Sequence, residues 1–190
     1  MQKNNRTMII GICGVARSGK DTTYNLFNEV LSSQGKSCER FAFADQIKEE
    51  LKPLLEENFN INPFDCDDDT KEKIRPLMVA YGTYLARALD KNHWIKRLSR
   101  KIQSDSTADY QFITDVRYEN EINFLRSNFK KSYIIYVERE GFKAINEEEE
   151  ENCPKLKNKS DYIIKWPSFR EAETEGIPYI KKIINEKFKD

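Results

Sequence analysis

The sequence is poor in cysteine and histidine, and this scarcity excludes two classes of protein. Its four cysteines are scattered without a Cys-x-x-Cys pair, so they do not form the framework of a disulfide-rich or zinc-bound domain. We interpret them as free thiols in a reducing cytoplasm. The single histidine, His93, has no neighbouring cysteines with which it could build a metal cluster.

Long hydrophobic runs and an excess of one charge are also missing. No apolar run approaches the length that spans a bilayer, and the polar segment 1–6 is not a signal peptide, so we expect a cytoplasmic location and no membrane partner. Lysine plus arginine equals aspartate plus glutamate at 32 each. Proteins that bind nucleic-acid backbones usually carry a basic excess, so we expect no nucleic-acid partner. The length of 190 residues indicates a single domain, residues 1–190.

One glycine-rich stretch is present, and the rest of the chain is organised around it. It fits the phosphate-loop pattern G-x-x-x-x-G-K, with an aspartate where serine or threonine is usual, and it lies between a strand-like and a helix-like segment. Glycines let backbone N–H groups converge on phosphate oxygens, and the helix directs its positive N-terminal end at the same anion. In this pattern Lys20 reaches the β- and γ-phosphates. The predicted nucleotide-phosphate site consists of Gly14, Val15, Ala16, Arg17, Ser18, Gly19, Lys20, Asp21 and Thr22.

The segments on either side of this loop alternate between strand-like and helix-like patterns. We predict five strands, at residues 7–13, 38–43, 110–116, 132–137 and 161–166. We predict helices from the loop to about Ser33, from Ala44 through Leu55, over about 71–89 and 92–103, from Arg117 onward, and at the C-terminal end. This alternation is typical of an α/β fold in which a parallel five-stranded sheet is flanked by helices in three layers.

An acidic run, residues 65–69, resembles a calcium-binding loop. It fails as an EF-hand, because Thr70 replaces the required glycine and Pro76 replaces the bidentate glutamate. We therefore interpret residues 58–70 as a solvated acidic loop.

Residues 140–159 are highly charged, with five consecutive glutamates at 147–151, and we predict them to be irregular, solvated and mobile.

Two single residues, Gly82 and Asp45, each have a structural and a functional interpretation. Gly82 lies inside a predicted helix, where glycine costs about 1 kcal/mol against alanine. This indicates the close approach of another helix or of a ligand. Asp45 caps a helix or, at the carboxyl end of a strand, contacts a ligand.

A phosphate loop alone does not name a reaction, because ATPases, GTPases and small-molecule kinases share it. Residues 158–161 match a GTPase motif by letter, but they precede the last predicted strand, and no D-x-x-G occurs at Asp45 or Asp115. Arginine grips phosphate with two parallel donors. An acceptor that is itself a phosphate needs such clamps and no general base, because its attacking oxygen is already ionised. We expect several arginines to converge near the loop, from among Arg17, Arg75, Arg87, Arg117 and Arg139.

At this level of detail the sequence resembles the bacteriophage deoxynucleoside monophosphate (dNMP) kinase family. The resemblance covers most of residues 8–139. It implies a P-loop NTPase fold of the nucleoside monophosphate kinase type, transfer of the γ-phosphoryl group of ATP to a dNMP to give a dNDP, and Mg²⁺ as cofactor. For a phage-encoded protein it implies the host cytoplasm. The stretches that carry the resemblance are residues 14–23, the block Arg75…Tyr81-Gly82-Thr83…Arg87…His93-Trp94-Ile95, Thr114-Asp115-Val116-Arg117…Glu121, and the strand ending in Arg139.

The functional residues of the family carry over onto matching positions. The resemblance implies that residues 14–22 hold the phosphates of ATP, with Asp21 or Thr22 assisting Mg²⁺. It implies an acceptor-binding helical region over about 44–103 and a lid-like segment over about 139–160. The residues with an implied catalytic role are Lys20, Arg17, Arg117 and Arg139. The residues implied to lie around the acceptor are Asp45, Lys48, Arg75, Tyr81, Gly82, Arg87, Trp94, Asp115, Arg117 and Glu121.

Several alternatives stay open at this point. The G-K-D-T form of the loop also occurs in animal phosphomevalonate kinases, so a kinase of a non-nucleotide phosphate is one alternative, and an ATP sensor without transfer is another. Trp94 stacks on a base or fills the core. The base preference cannot be read, and the oligomeric state is open, with a homodimer as one alternative.

Overall fold

The structure, a computed structural model, describes residues 7–104, 107–166 and 172–188. The chain divides into two compact units, one formed by Met1–Phe41 with Ser106–Asp190 and one formed by Ala42–Asp105. The first unit carries the sheet, and the second is helical and inserted in the chain between two strands. The helical unit covers nearly the range 44–103 for which acceptor binding is predicted, and that role stays a prediction.

The sheet of the first unit consists of parallel strands. They are β1 (Met8–Cys13), β2 (Cys38–Phe41), β3 (Tyr110–Val116), β4 (Ser132–Arg139) and β5 (Tyr162–Trp166). Their order in the sheet is β2-β3-β1-β4-β5, and the pairings are parallel. All residues of β1 are buried, because a central parallel strand is covered on both faces. The predicted parallel five-stranded sheet is confirmed, with its second strand ending at Phe41.

Helices cover both faces of this sheet. The α-helices of the chain are α1 (Lys20–Ser33), α2 (Phe43–Phe59), α3 (Asp68–Val79), α4 (His93–Ser104), α5 (Glu119–Asn128), α6 (Glu147–Asn158) and α7 (Ala172–Lys187). Ile10 and Ile12 of β1 join side chains of α1 and α7 in one core cluster. The alternate residues of β1 point to the opposite face, where α5 and α6 contact the strand. The predicted three-layer arrangement is therefore confirmed. Among the described residues, no helix is both long enough and apolar enough to cross a membrane.

The run of glutamates forms the start of a helix, so the prediction that residues 140–159 are irregular is wrong for Glu147–Asn158, and their mobility stays a prediction. The Asn146 side chain caps α6 by accepting a hydrogen bond from the backbone N–H of Glu149 at 2.9 Å. Glutamates in the first turn and lysines in the last turn both complement the helix dipole. Lys155 also bonds Glu151 one turn earlier at 2.8 Å. The like charges thus lie at the helix end where they are stabilising.

The acidic run also has a structural role. The Asp67 side chain accepts a hydrogen bond from the backbone N–H of Thr70 at 2.7 Å and so caps α3. Because this bond favours the ionised carboxylate, it lowers the pKa of Asp67. The loop is shorter than the predicted 58–70, since α2 continues to Phe59 and α3 begins at Asp68.

The helix predicted over about 71–89 is irregular in its second half. A π-helix over Ala80–Arg87 follows α3 directly. Within it, a Cβ atom on Gly82 would lie 2.6 Å from Cδ1 of Ile47 in α2. Of the two interpretations of Gly82, the structure therefore supports the close approach of another helix. Single-turn π-bulges are frequent at functional sites, and this longer segment carries three of the predicted acceptor residues, Tyr81, Gly82 and Arg87.

Candidate functional site: the phosphate loop

The glycine-rich loop follows β1 at the carboxyl end of the sheet's central strand. Gly14 and Gly19 have φ values of 143° and 95°, and Arg17 adopts a left-handed conformation with φ of 61°. A Cβ atom on Gly14 would lie 2.4 Å from the carbonyl oxygen of Val137 and 2.8 Å from Oγ of Ser18. Glycine is therefore required at position 14 for two reasons, the backbone angle and the contact with β4.

We expect Gly14→Ala to lower the free energy of unfolding by about 2 kcal/mol or more, because the methyl group meets a backbone carbonyl that cannot rotate away. Gly35→Ala is the matched control. Gly35 also has a positive φ, of 73°, but a Cβ atom there would meet nothing within 4 Å. Urea denaturation of the two variants separates the clash from the backbone strain. Equal losses in both variants would contradict the contact argued here.

Lys20 lies folded against this loop. Its Nζ donates hydrogen bonds to the carbonyl oxygens of Gly14 at 3.0 Å and Val15 at 2.8 Å. Burial lowers the pKa of Lys20, and the nearby Arg117 lowers it further, whereas Glu149, Asp21 and Asp115 oppose the shift. The ammonium group is thus held in place within a cluster of charges of both signs. Such preorganised charge can stabilise a phosphoryl group in transit.

A cavity of about 430 Å³ opens beside the loop. It is lined by residues of the loop and by two residues from the end of β4 and the turn after it. The guanidinium of Arg139 lies 4.4 Å from the centre of the Phe142 ring, in a cation–π contact. The structure thus brings together most of the predicted ATP-phosphate residues and Arg139, and it adds Phe142, which the sequence analysis missed. The residues that line the cavity are Arg17, Gly19, Lys20, Asp21, Thr22, Arg139 and Phe142.

Glu121 has a structural role in the turn that carries Arg117, and its predicted place around the acceptor stays a prediction. Its carboxylate is fully buried and accepts hydrogen bonds from the backbone N–H groups of Arg117 at 2.7 Å and Tyr118 at 3.1 Å. These bonds fix the turn between β3 and α5. The side chain of Arg117 is exposed beyond this turn, and Asp115 is half-buried at the end of β3. Glu121 therefore positions Arg117.

The residues predicted for Mg²⁺ offer a small set of oxygen donors. Asp21 has an 81 % exposed side chain, with Oδ1 3.9 Å from Nη2 of Arg40, and Thr22 is half-buried beside it. Within residues 7–104, 107–166 and 172–188, no group of three or more histidine, cysteine, aspartate or glutamate side chains could hold a metal ion. A metal here would take most ligands from nucleotide phosphates and water. This donor set fits Mg²⁺, which is usually held by one or two carboxylates and by substrate phosphates.

In the helical unit, several polar side chains lie around the carboxylate of Glu50. The Tyr81 hydroxyl donates a hydrogen bond to Oε2 of Glu50 at 2.5 Å, and Arg97 forms an ion pair with the same carboxylate. Nε2 of His93 lies 3.9 Å from Oε1 of Glu50. The bond to Glu50 raises the pKa of Tyr81, and burial adds to this shift. The sequence analysis identified Tyr81 but neither Glu50 nor Arg97, because single charged residues on a helix carry no pattern.

Trp94 belongs to the core of the helical unit. Its side chain is 0 % exposed, and Nε1–H donates a hydrogen bond to the carbonyl oxygen of Gly82 at 2.9 Å. The indole packs edge-on against Tyr81, with ring centres 6.0 Å apart. A fully buried ring offers no face to a base, so the structure supports the core interpretation. This corrects the predicted contact of Trp94 with the acceptor.

Three other predicted acceptor residues of the helical unit, Asp45, Lys48 and Arg75, lie on α2 and α3. Asp45 and Lys48 lie in the first turns of α2, with Oδ1 and Nζ 4.0 Å apart. Asp45 is an acidic residue in the first helical turn, whereas the N-cap position is Ala42. Arg75 is exposed and bonds Glu72 on its own helix at 3.2 Å. A second cavity has a volume of about 530 Å³ and, among the residues that the structure describes, no lysine or arginine lines it. Its lining residues are Asn60, Ile61, Asn62, Asp65, Cys66, Asp67 and Thr70.

A further residue of the loop region was missed. Glu149 of α6 is buried, and its Oε1 accepts a hydrogen bond from the backbone N–H of Ala16 at 3.0 Å. The spacing of Asn146 and Glu149 is that of a helix N-cap followed by a glutamate, and it could have predicted the start of α6. No local pattern could have predicted the contact with the phosphate loop.

Comparison with known proteins identifies the family. A family model described as "Phosphomevalonate kinase" matches residues 12–131, which is more than half of the 190 residues. The chain belongs to the phosphomevalonate kinase family. It is therefore a P-loop kinase, that is, a nucleotide-binding transferase. The matched range includes the phosphate loop, the helical unit, β3 and the turn with Arg117. The match does not extend to the bacteriophage dNMP kinase family, which stays a prediction.

Solved structures of known kinases share the fold. Shikimate kinase from Acinetobacter baumannii, in complex with shikimate, aligns over 95 % of this chain and 93 % of its own, with a TM-score of 0.50 and 12 % identity. Shikimate kinase from Bacteroides thetaiotaomicron aligns over 94 % and 96 %, with the same TM-score and identity. At this identity the likeness shows the fold alone, and it agrees with the predicted P-loop kinase architecture. No curated protein matches the chain.

Proposed function

We propose that this P-loop kinase transfers the γ-phosphoryl group of ATP to the phosphate group of a small acceptor, and that the acceptor is a dNMP. The observation that carries the proposal is the position of Lys20 on the phosphate loop, where the carbonyl oxygens of Gly14 and Val15 hold its Nζ and where Arg17 and Arg139 line the same cavity. Cations in this number suit a reaction that brings two phosphate groups together, because phosphoryl transfer depends mainly on positioning and charge neutralisation.

The chemistry agrees with the residues of the first unit. An ionised phosphate oxygen of the acceptor attacks the γ-phosphorus of ATP, the bond to the β-phosphate oxygen breaks, and ADP leaves. This attack needs no general base, and the sequence has no histidine other than His93, which lies in the helical unit. Mg²⁺ bound near Asp21 and Thr22 would neutralise charge on the nucleotide phosphates. Lys20 and Arg117 would stabilise the charge of the group in transit.

Two molecules are candidates for the acceptor, a dNMP and phosphomevalonate. The Tyr81-Gly82-Thr83 block and the Asp115-x-Arg117 sequence support a dNMP, through the resemblance that they carry. The family match over residues 12–131 supports phosphomevalonate as a second candidate. Gly82 and Trp94 have packing roles that suit either acceptor, so they do not separate the two candidates.

An acceptor panel tests the proposal. ADP release from Mg·ATP is measured with the four dNMPs, the matching NMPs, modified pyrimidine dNMPs and phosphomevalonate. The deoxynucleosides and mevalonate serve as matched controls without the acceptor phosphate. We expect turnover with at least one dNMP and none with the controls. Turnover with phosphomevalonate alone would establish the second candidate. A folded protein that binds ATP but is silent with every acceptor would contradict both and favour a sensor.

We expect Arg117→Ala to lower kcat/KM for the acceptor by at least about tenfold, which corresponds to about 1.4 kcal/mol of transition-state stabilisation. The turn should survive, because Glu121 holds the backbone N–H of Arg117 and not its guanidinium. Arg126→Ala is the control, since Arg126 bonds Asp161 at 3.0 Å near the amino end of β5. Steady-state kinetics of both variants provide the measurement. Wild-type kinetics in Arg117→Ala would place this residue outside the site.

A further inference from the structure

One of the five consecutive glutamates at 147–151 differs from its neighbours in burial. Glu149 is only 8 % exposed, whereas Glu147, Glu150 and Glu151 are exposed. Its Oε1 accepts a hydrogen bond from the backbone N–H of Ala16 at 3.0 Å, and its Oε2 accepts one from the backbone N–H of Ile145 at 3.2 Å. A carboxylate leaves water only where such donors replace its hydration. The phosphate loop provides one of the two donors.

The surroundings of this carboxylate include groups that bind phosphate in such loops. Ala16 lies in the middle of the phosphate loop, and the charge of Glu149 partly opposes the lowering of the Lys20 pKa by burial and by Arg117. Backbone N–H groups of such loops and the lysine that follows them bind anionic oxygens. The Glu149 carboxylate therefore occupies one donor of the loop, the Ala16 N–H, that a nucleotide phosphate would use.

Helix α6 contacts the rest of the first unit at both of its ends, and the two sets of contacts involve different residues. In the first turn, Glu149 contacts the loop, and Glu148 accepts a hydrogen bond from the Tyr118 hydroxyl at 2.8 Å. At the other end, Lys157 pairs with Glu138 of β4, and Nζ of Lys159 lies 2.9 Å from Glu119 of α5. The contacts of the last turn do not involve the loop. The first turn can therefore release the loop while the end of α6 stays anchored.

We infer that Glu149 competes with nucleotide phosphate for the phosphate loop, so that its carboxylate leaves the Ala16 amide when a polyphosphate chain binds. This inference rests on the proposed function of the loop as the ATP site. The consequence is a lowered apparent affinity, because only the fraction of molecules with Glu149 released can bind. If Glu149 is released from the loop in about one protein molecule in ten, the protein binds nucleotide about tenfold more weakly than its open form does.

The test compares Glu149→Gln with Glu150→Gln, which makes the same charge change at an exposed position of the same helical turn. Glutamine keeps the shape of the side chain but is a weaker, uncharged acceptor. Calorimetry with inorganic tripolyphosphate and with ATP gives the dissociation constants, and adenosine serves as a ligand without phosphate. We expect Glu149→Gln to bind both phosphates at least about fivefold more tightly than wild type. Glu150→Gln should stay within about twofold, and adenosine should be insensitive to both changes.

Hydrogen exchange of the wild-type protein provides a second measurement that needs no variant. Saturating tripolyphosphate should slow exchange at the Ala16 amide, which gains a phosphate oxygen, and should speed exchange at the Ile145 amide, which loses Glu149. A purely electrostatic effect of Glu149 would leave Ile145 unchanged.

The outcomes separate this inference from the function on which it rests. If wild type and both variants are folded and none binds tripolyphosphate or ATP, the proposed ATP site is wrong, and the inference is wrong with it. If all three bind alike and Ile145 exchange does not respond, the ATP site stands and the competition is refuted. Weaker binding by Glu149→Gln would also refute it, because Glu149 would then assist the nucleotide.

Discussion

Lys20→Ala is expected to lower kcat by at least about 10³-fold and to leave the protein folded. The ammonium of Lys20 is held by the carbonyl oxygens of Gly14 and Val15 on the loop itself, so its charge is in place before any substrate arrives. Removing one preorganised charge from a site of phosphoryl transfer typically costs a factor of this size in kcat. The binding of ATP should weaken less than turnover, because the charge matters most in the transition state.

The measurement for Lys20→Ala is the initial rate of ADP release at saturating ATP and acceptor. Circular dichroism and thermal unfolding show whether the variant is folded. Lys182→Ala removes the same charge from an exposed position on α7 and should keep wild-type turnover. If Lys20→Ala retained more than about a tenth of the wild-type rate, the assignment of the phosphate loop as the catalytic site would be wrong.

Trp94→Ala is expected to lower the free energy of unfolding by about 3–5 kcal/mol, the range for truncating a large buried aromatic side chain. The indole is fully buried in the helical unit, and its N–H is bonded to the carbonyl oxygen of Gly82 in the π-helix. Trp94→Phe keeps a ring in the core but loses this hydrogen bond. We expect it to lose less, about 1–2 kcal/mol.

Urea denaturation followed by circular dichroism measures both Trp94 variants. The sequence has two tryptophans, and the other, Trp166, lies in the first unit. Its fluorescence therefore reports on the first unit alone in either variant. The kinetics of Trp94→Phe provide the opposing test. An acceptor KM raised tenfold without a change in stability would show that the ring contacts the acceptor after all.

Most of the sheet and the phosphate loop could be predicted from the sequence. The run 8–13 is apolar at nearly every position, as a strand buried on both faces requires, and the structure has β1 there. The glycines of the loop indicate backbone angles that other residues avoid, and Gly14 and Gly19 have such angles. The error over Glu147–Asn158 came from interpreting a block of five glutamates as irregular and solvated, although the first turn of a helix stabilises acidic side chains.

By itself, the sequence determined the order of the strands along the chain, the α-helices other than α6, the phosphate loop between the first strand and the first helix, and the number of arginines available to bind phosphate. These features are local, since a few neighbouring residues carry each pattern. Only the tertiary structure decided what Trp94 and Glu149 do. Trp94 bonds Gly82 in the preceding π-helix, and Glu149 reaches Ala16 from 133 residues further along the chain. The partner of a buried polar group is set by packing between distant segments, and no pattern of neighbouring residues records it.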